Sequence, residues 1–211
     1  MTGATAPTES RDEYQRLRRI SRWYAPVYDR LFGRIYRGAR KHSIECLDLG
    51  PQDRVLIVGA GTGLDLPLLP RVRQVVAIDM SRDMLRRART AHGVNPCQFV
   101  LGDAQRLPFR DGAFDAATLH LILAVTPDGR AVLSEATRAV RPQGLLAVMD
   151  KFAGAGKISS SRRLFNIVAR QLGTDITRDV GAMLADQPLV VKSRENVLAG
   201  SYQLLCLERG R

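Results

Sequence analysis

The sequence predicts an α/β fold: a doubly wound, mostly parallel sheet with helices on both faces and a closing antiparallel strand pair. Three observations carry this. From residue 54 short apolar runs alternate with amphipathic stretches, the pattern of successive βαβ units. A glycine-rich turn, Val58-Gly59-Ala60-Gly61-Thr62-Gly63, follows the first apolar run directly. Near the end the alternation stops, and two strand-like runs, Leu189–Lys192 and Tyr202–Leu207, succeed one another.

Each element has its own signature. Arg54–Val58 (RVLIV) and Gln74–Ile78 (QVVAI) are nearly all apolar, as strands buried on both faces are. A short helix is expected from Leu64. Ser81 can cap a helix running to about His92, with Asp83 in its first turn and Arg86, Arg87 and Arg89 towards its end, matching the helix dipole. Gln98–Leu101 and Phe114–Leu119 read as strands three and four. Asp128 opens the next helix, which ends before Arg141-Pro142-Gln143-Gly144, and Leu145–Met149 is strand five. Ser160–Leu172 and Ile176–Ala185 read as helices. Residues 151–187 are therefore expected as a helical insertion over the carboxyl edge of the sheet, where doubly wound folds bind ligands.

At 211 residues the chain suits one domain, and its 45% apolar and 25% charged content is that of a soluble globular protein. No run approaches the ~18 apolar residues that span a bilayer. Met1–Ser10 lacks the basic start and apolar stretch of a secretory signal, so a cytoplasmic protein is expected. Residues 1–10 read as a disordered tail, 11–50 as a basic helical segment broken at Pro26, and 51–211 as the main domain. Between Arg11 and Lys41 ten basic residues face three acidic ones, so this segment holds +7 of the net +11. Within it a helix is expected from Val27 to about Leu49, stacking Arg30, Arg34, Arg37 and Lys41 along one face. Leu17, Ile20, Tyr24, Val27 and Leu31 recur at three- and four-residue intervals, which suits either a membrane interface or docking onto the domain. Cys46, Cys97 and Cys206 are far apart, with no CxxC and no nearby histidine; neither disulfides nor a metal site is expected.

The glycine turn selects among cofactors by its spacing. A dinucleotide site uses GxGxxG, whose third glycine packs helix against strand, but here that position is Leu64 and the pattern is GxGxG. Asp79 closes the second strand twenty residues after Gly59, where a carboxylate can accept from both hydroxyls of a ribose. Asp103-Ala104, within LGDAQRLPF, closes the third. Taken in order, these features resemble class I S-adenosylmethionine (SAM)-dependent methyltransferases of the type 11 domain, whose fold is Rossmann-like. The likeness covers roughly 45–150 and extends to Arg141-Pro142-Gln143-Gly144, similar to the family's LKPGG turn with Gln143 replacing a glycine. It implies SAM as cofactor, bound by Gly59, Gly61, Gly63, Asp79, Met80, Asp103, Ala104 and His120. Asp103 would take the adenine amino group, and Met80 would pack on the adenine face or fill core.

A narrower likeness involves Tyr24-Ala25-Pro26-Val27-Tyr28-Asp29 with Phe32-Gly33, and Leu119-His120-Leu121-Ile122-Leu123-Ala124-Val125-Thr126-Pro127. Both stretches resemble bacterial soluble phosphatidylethanolamine N-methyltransferases, and YAPVYD-type stretches are also similar to quinone C-methyltransferases. Met149-Asp150-Lys151-Phe152 departs from the lipid enzymes, where an Asn-His pair is expected. The resemblance implies a lipid or amphiphilic acceptor, with peripheral contact to anionic membrane through 11–41. Tyr24, Tyr28 and His120 are candidate bases for an amine acceptor, beside purely packing roles. Lys151, Arg162, Arg163 and Arg178 are candidates to hold an anionic headgroup, or else line solvated helix faces. A quinone precursor or other small molecule is the alternative acceptor, and a non-catalytic SAM-binding protein stays open. RNA methylation is disfavoured because strand four runs into Leu119-His120-Leu121-Ile122 and not into an Asp/Asn-Pro-Pro-aromatic motif.

Overall fold

The computed structural model describes residues 36–91, 96–151, 180–198, 200 and 202–211. Seven strands form one sheet in the order β3-β2-β1-β4-β5-β7-β6. They are β1 (Arg54–Val58), β2 (Gln74–Asp79), β3 (Cys97–Leu101), β4 (Phe114–His120), β5 (Val140–Asp150), β6 (Leu189–Val197) and β7 (Tyr202–Arg209). The first five run parallel, while β7 pairs antiparallel with both β5 and β6. The strand order doubles back between β1 and β4, which opens a crevice at their carboxyl ends.

Among the described residues four helices flank the sheet: α1 (residues 36–45), α2 (Arg82–Ala91), α3 (Gly129–Ala139) and α4 (Val180–Leu184). Strand alternation sorts them. Leu56, Val58, Val76 and Ile78 face α3 and α4, meeting Val132, Leu133, Ala136, Val180 and Met183. Val55, Ile57, Val75 and Ala77 face the other way, meeting Ile44 of α1 and Leu85 of α2. Nearly all are under 5% exposed, and each Leu, Ile or Val so buried stabilises the fold by about 1.5–3 kcal/mol.

Helix starts follow from capping chemistry. Asp128 Oδ1 accepts from Ala131 N at 2.9 Å, and Ser81 Oγ accepts more loosely from Met84 N at 3.4 Å. Several expectations need correction. A 3-10 turn, Leu66–Leu68, follows the glycine loop in place of a helix from Leu64, because Pro67 at its start favours a single tight turn. The α1 helix stops at residue 45 rather than near Leu49. β5 starts at Val140 and runs through the Arg-Pro-Gln-Gly turn, with an irregular register against Phe114 and Ala116. β6 extends to Val197, beyond Lys192, held by backbone pairing to β7. Of the expected insertion 151–187, residues 151 and 180–187 are described, and they hold α4. The 1–10 tail, the Ser160–Leu172 helix and most of the basic segment lie outside the described residues.

Candidate functional site

The end of β1 turns sharply, with Gly59, Gly61 and Gly63 at φ of 71°, 54° and 83°. Those left-handed values suit glycine, but their surroundings differ. A Cβ on Gly59 would sit 2.6 Å from Ile122 Cδ1, so packing against the β4 loop excludes it. A Cβ on Gly61 would meet nothing within 4 Å and would project into open space above the loop. The turn is pinned to β2, since Gly59 N and Ala60 N both donate to the Ile78 carbonyl at 3.0 and 2.9 Å.

Asp79, the last residue of β2, faces this loop. Its Oδ2 accepts from Gly61 N and its Oδ1 from Ser81 N, each at 2.8 Å. Burial pushes its carboxyl above the usual range, and the two backbone N–H groups pull only part of the way back. Met80 beside it is half-buried. Beyond β3, Asp103 Oδ1 accepts from Gln105 N at 2.9 Å and Ala104 is buried. Gly102 N donates to the Asp79 carbonyl at 3.0 Å, tying the two acids into one rim. The structure thus brings Gly59, Gly61, Gly63, Asp79, Met80, Asp103 and Ala104 together at the carboxyl edge of β1, β2 and β3. Backbone amides, two half-buried carboxylates and a bare glycine face suit a ribose, an adenine edge and a close approach.

His120 ends β4 and is 4% exposed. Its Nδ1 lies 2.9 Å from Asp65 Oδ1 and its Nε2 3.0 Å from Ser43 Oγ. Asp65 also accepts from Arg40 Nη1 at 2.6 Å and, more weakly, from Thr118 Oγ1 at 3.5 Å. Burial works to raise the Asp65 carboxyl. The neighbouring His120 and Arg40 more than offset it and hold the group well below the usual carboxylate range. The cluster joins α1, the glycine loop and β4. Both ring nitrogens of His120 are engaged within it, an arrangement suited to holding the imidazole in place rather than presenting it to an acceptor.

Nothing in the local sequence announced Asp65, Arg40 or Ser43. The one available signal was a lone acid in the apolar run Leu64-Asp65-Leu66-Pro67-Leu68-Leu69. Arg40, one of the ten basic residues, turns inward, while Arg37 and Lys41 remain exposed.

At the carboxyl ends of β4 and β5, Leu121 adopts φ 61° and its N donates to the Met149 carbonyl at 2.7 Å. Buried Asp150 accepts from Ala124 N at 3.0 Å and from Lys151 N at 2.8 Å, fixing the loop after β4 against the end of β5. The Lys151 ammonium lies 5.3 Å from the centre of the Tyr202 ring, and Tyr202 Oη is 2.5 Å from Tyr36 Oη. Burial, followed by the Tyr202 hydrogen bond, pushes the Tyr36 phenol well above its ordinary value. Tyr24, Tyr28, Arg162, Arg163 and Arg178 lie outside the described residues.

Comparison with known proteins agrees with this geometry. A family model described as a methyltransferase domain matches residues 56–148. A phosphatidylethanolamine N-methyltransferase of Cereibacter sphaeroides is 34% identical over 140 residues, 64% of this chain and 68% of that protein. A demethylmenaquinone methyltransferase of Mycolicibacterium vanbaalenii is 39% identical over 112 residues, 53% of this chain and 47% of that protein. The chain therefore spans about half the length of the latter relative. Among solved structures, the complex of the Haloferax volcanii Trm112 methyltransferase activator with a putative methyltransferase matches at a TM-score of 0.76. That match covers 91% of this chain and 98% of that one; at 18% identity it is a likeness of fold. With a Rossmann-like sheet, a GxGxG turn and a relative matched over two thirds of its length, the chain belongs to the class I SAM-dependent methyltransferases.

Proposed function

We propose that this methyltransferase acts on a lipid or amphiphilic acceptor at a membrane surface, specifically the amine of phosphatidylethanolamine. The observation that carries this reading is the Cereibacter sphaeroides relative, matched over a larger share of both chains than the quinone enzymes are. The basic stretch from Arg11 to Lys41 supports it, since anionic headgroups attract each nearby Lys or Arg by about 1 kcal/mol. Among the described residues no helix is long and apolar enough to cross a membrane.

SAM supplies a methyl group on a positively charged sulfur, so the leaving group is already good. The chain mainly has to bind, orient and exclude water. Asp79 accepts from the ribose hydroxyls while keeping its backbone partners, because each carboxylate oxygen carries two lone pairs. Asp103 accepts from the adenine amino group, Met80 and Ala104 pack about the base, and the open side of Gly61 admits the cofactor. Gly59 and Gly63 hold the turn. His120, braced by Asp65 and Ser43, shapes the methionine end of the pocket. An ammonium acceptor must lose a proton before attack, and Tyr24 and Tyr28 are the groups assigned to take it, directly or through water. Lys151, with Arg162, Arg163 and Arg178, holds the phosphate.

A second reading, methylation of a quinone precursor, is favoured by the 39% identity of the demethylmenaquinone relatives. Incubating the chain with isotope-labelled SAM and vesicles containing either acceptor separates the two by product mass. Labelled mono- or dimethylated phosphatidylethanolamine is the expected product. Labelled quinone without labelled lipid would replace the first reading by the second.

A further inference from the structure

Cys46 and Cys206 are 160 positions apart, yet they meet where the end of α1 lies against β7. Cys206 sits opposite Ala147 of β5 in the sheet register, and Cys46 packs against the small buried cluster of Leu47, Ala116 and Ala147. Cys206 Sγ–H donates to the Cys46 carbonyl oxygen at 3.5 Å. Both residues line a cavity of about 280 Å³. At its rim His42 Nε2 and Glu195 Oε2 pair at 2.9 Å, with side chains roughly half exposed, so the cavity reaches solvent. Both thiols are free, and the third, Cys97, stands on β3 at the far side of the sheet. Since one water takes about 30 Å³ of liquid volume, a cavity of this size admits a small peroxide.

We propose that Cys46 and Cys206 form a redox-active dithiol that a peroxide closes to a disulfide, tying the end of α1 to β7. The Cys206 thiolate attacks one peroxide oxygen and breaks the O–O bond. Cys206 becomes a sulfenic acid, and the departing oxygen takes up a proton and leaves as water or an alcohol. The Cys46 sulfur then displaces the sulfenic hydroxyl, which departs as water with the Cys46 proton. Two thiols thereby lose two electrons and two protons in all, and the peroxide gains both.

The protonation equilibria fit this order of events. The neighbouring Cys206 side chain, followed by burial, pushes Cys46 well above the ordinary thiol range. The Cys46 side chain is the largest influence lowering Cys206; burial opposes it, and the nearby Lys192 adds to it. Both sulfurs line the same cavity, and these directions favour Cys206 as the attacking sulfur with Cys46 as the resolving one. Because α1 also carries Arg40 and Ser43 to the buried cluster, the bond would tether the helix that completes the site.

The test uses the full chain, reduced, freed of reductant and exposed to hydrogen peroxide. The remaining thiols are then alkylated and the digest is read by mass spectrometry. A Cys46–Cys206 cross-linked peptide lacking two hydrogens is expected, with Cys97 still alkylated and the link reversed by dithiothreitol. The oxidised chain should unfold at a higher temperature than the reduced one. In Cys46→Ser, Cys206 loses its resolving partner and should be trapped by dimedone as a sulfenic acid. Cys46 and Cys206 both recovered as separately alkylated thiols would overturn the proposal. A cross-link that leaves the unfolding temperature unchanged would overturn the tether.

Discussion

Replacing Asp65 by Asn tests whether a buried charge cluster holds the cofactor edge together. Asp65 and Arg40 are 4% and 7% exposed, and Arg40 Nη1 donates to Asp65 Oδ1 at 2.6 Å. Asparagine keeps the shape and still offers His120 Nδ1 an acceptor, but it leaves the Arg40 charge buried and uncompensated. Among the described residues Arg40 Nε has no hydrogen-bond partner, so the guanidinium has little in reserve. Breaking such a pair costs about 3–5 kcal/mol. In a domain of this size that lowers the unfolding temperature by roughly 6–20 °C. The sign with pH also follows. The folded-state carboxyl is held below its unfolded value of about 3.9, so its stabilisation is present above that pH and fades as pH falls through the folded value. The gap between parent and Asp65→Asn, measured by urea unfolding, should therefore be full at pH 7 and shrink below about pH 4. The double variant Arg40→Met with Asp65→Leu, which removes both charges, should be less destabilised than Asp65→Asn alone. A single variant within about 1 kcal/mol of the parent, or a double variant worse than the single, would refute the reasoning.

The two glycines of the loop should separate by readout. Gly59→Ala meets Ile122 and should lose about 2–5 kcal/mol of stability, while Gly61→Ala loses about 1–2 kcal/mol of stability but most of its SAM affinity, by melting and calorimetry respectively. Asp79→Ala should weaken SAM binding by about 1.5–3 kcal/mol; unchanged affinity in a folded variant would displace the ribose from this residue. In the parent, SAM affinity should fall with acidification at a higher pH than an ordinary carboxylate dictates, because burial raises the Asp79 carboxyl and its protonated form accepts less well. Changing Arg30, Arg34, Arg37 and Lys41 to Gln should reduce binding to anionic vesicles by about 1 kcal/mol for each residue that faces lipid, and salt should reduce parent binding. Parent binding that is absent at low salt would end the membrane reading.

What the sequence reveals depends on how local the cause is. β1 and β2 could be read almost to the residue because continuous apolar runs admit few other structures. β6 was half missed: most of its side chains are exposed, so no alternation marks it, and only backbone pairing to β7 extends it to Val197. The Arg141–Gly144 turn shows a motif dissected by geometry. Gln143 carries φ 64°, a strain that a side chain survives, whereas a Cβ on Gly144 would lie 2.4 Å from the Asp115 carbonyl oxygen. The turn can thus spare its first glycine and not its second. The glycine loop, Asp79 and Asp103 were legible because spacing along consecutive strands encodes one edge. The Ser43–His120–Asp65–Arg40 cluster was not, since its hydrogen-bonded pairs are 25 to 77 positions apart and meet only through tertiary packing.

The outermost strand has a consequence for how the protein behaves at high concentration. Among the described residues β6 pairs on one side only, and it carries Val190 and Val191 at 54% and 45% exposure. An open, β-branched margin of this kind invites sheet-to-sheet growth between molecules. Farther along the same strand stand Lys192, Arg194 and Glu195, a set of gatekeepers whose charges resist that stacking. Their protection weakens as ionic strength rises, because exposed charges are screened beyond about 8 Å in physiological salt. Filamentous association through this margin, rather than loss of the folded core, is the failure to expect on storage in concentrated salt.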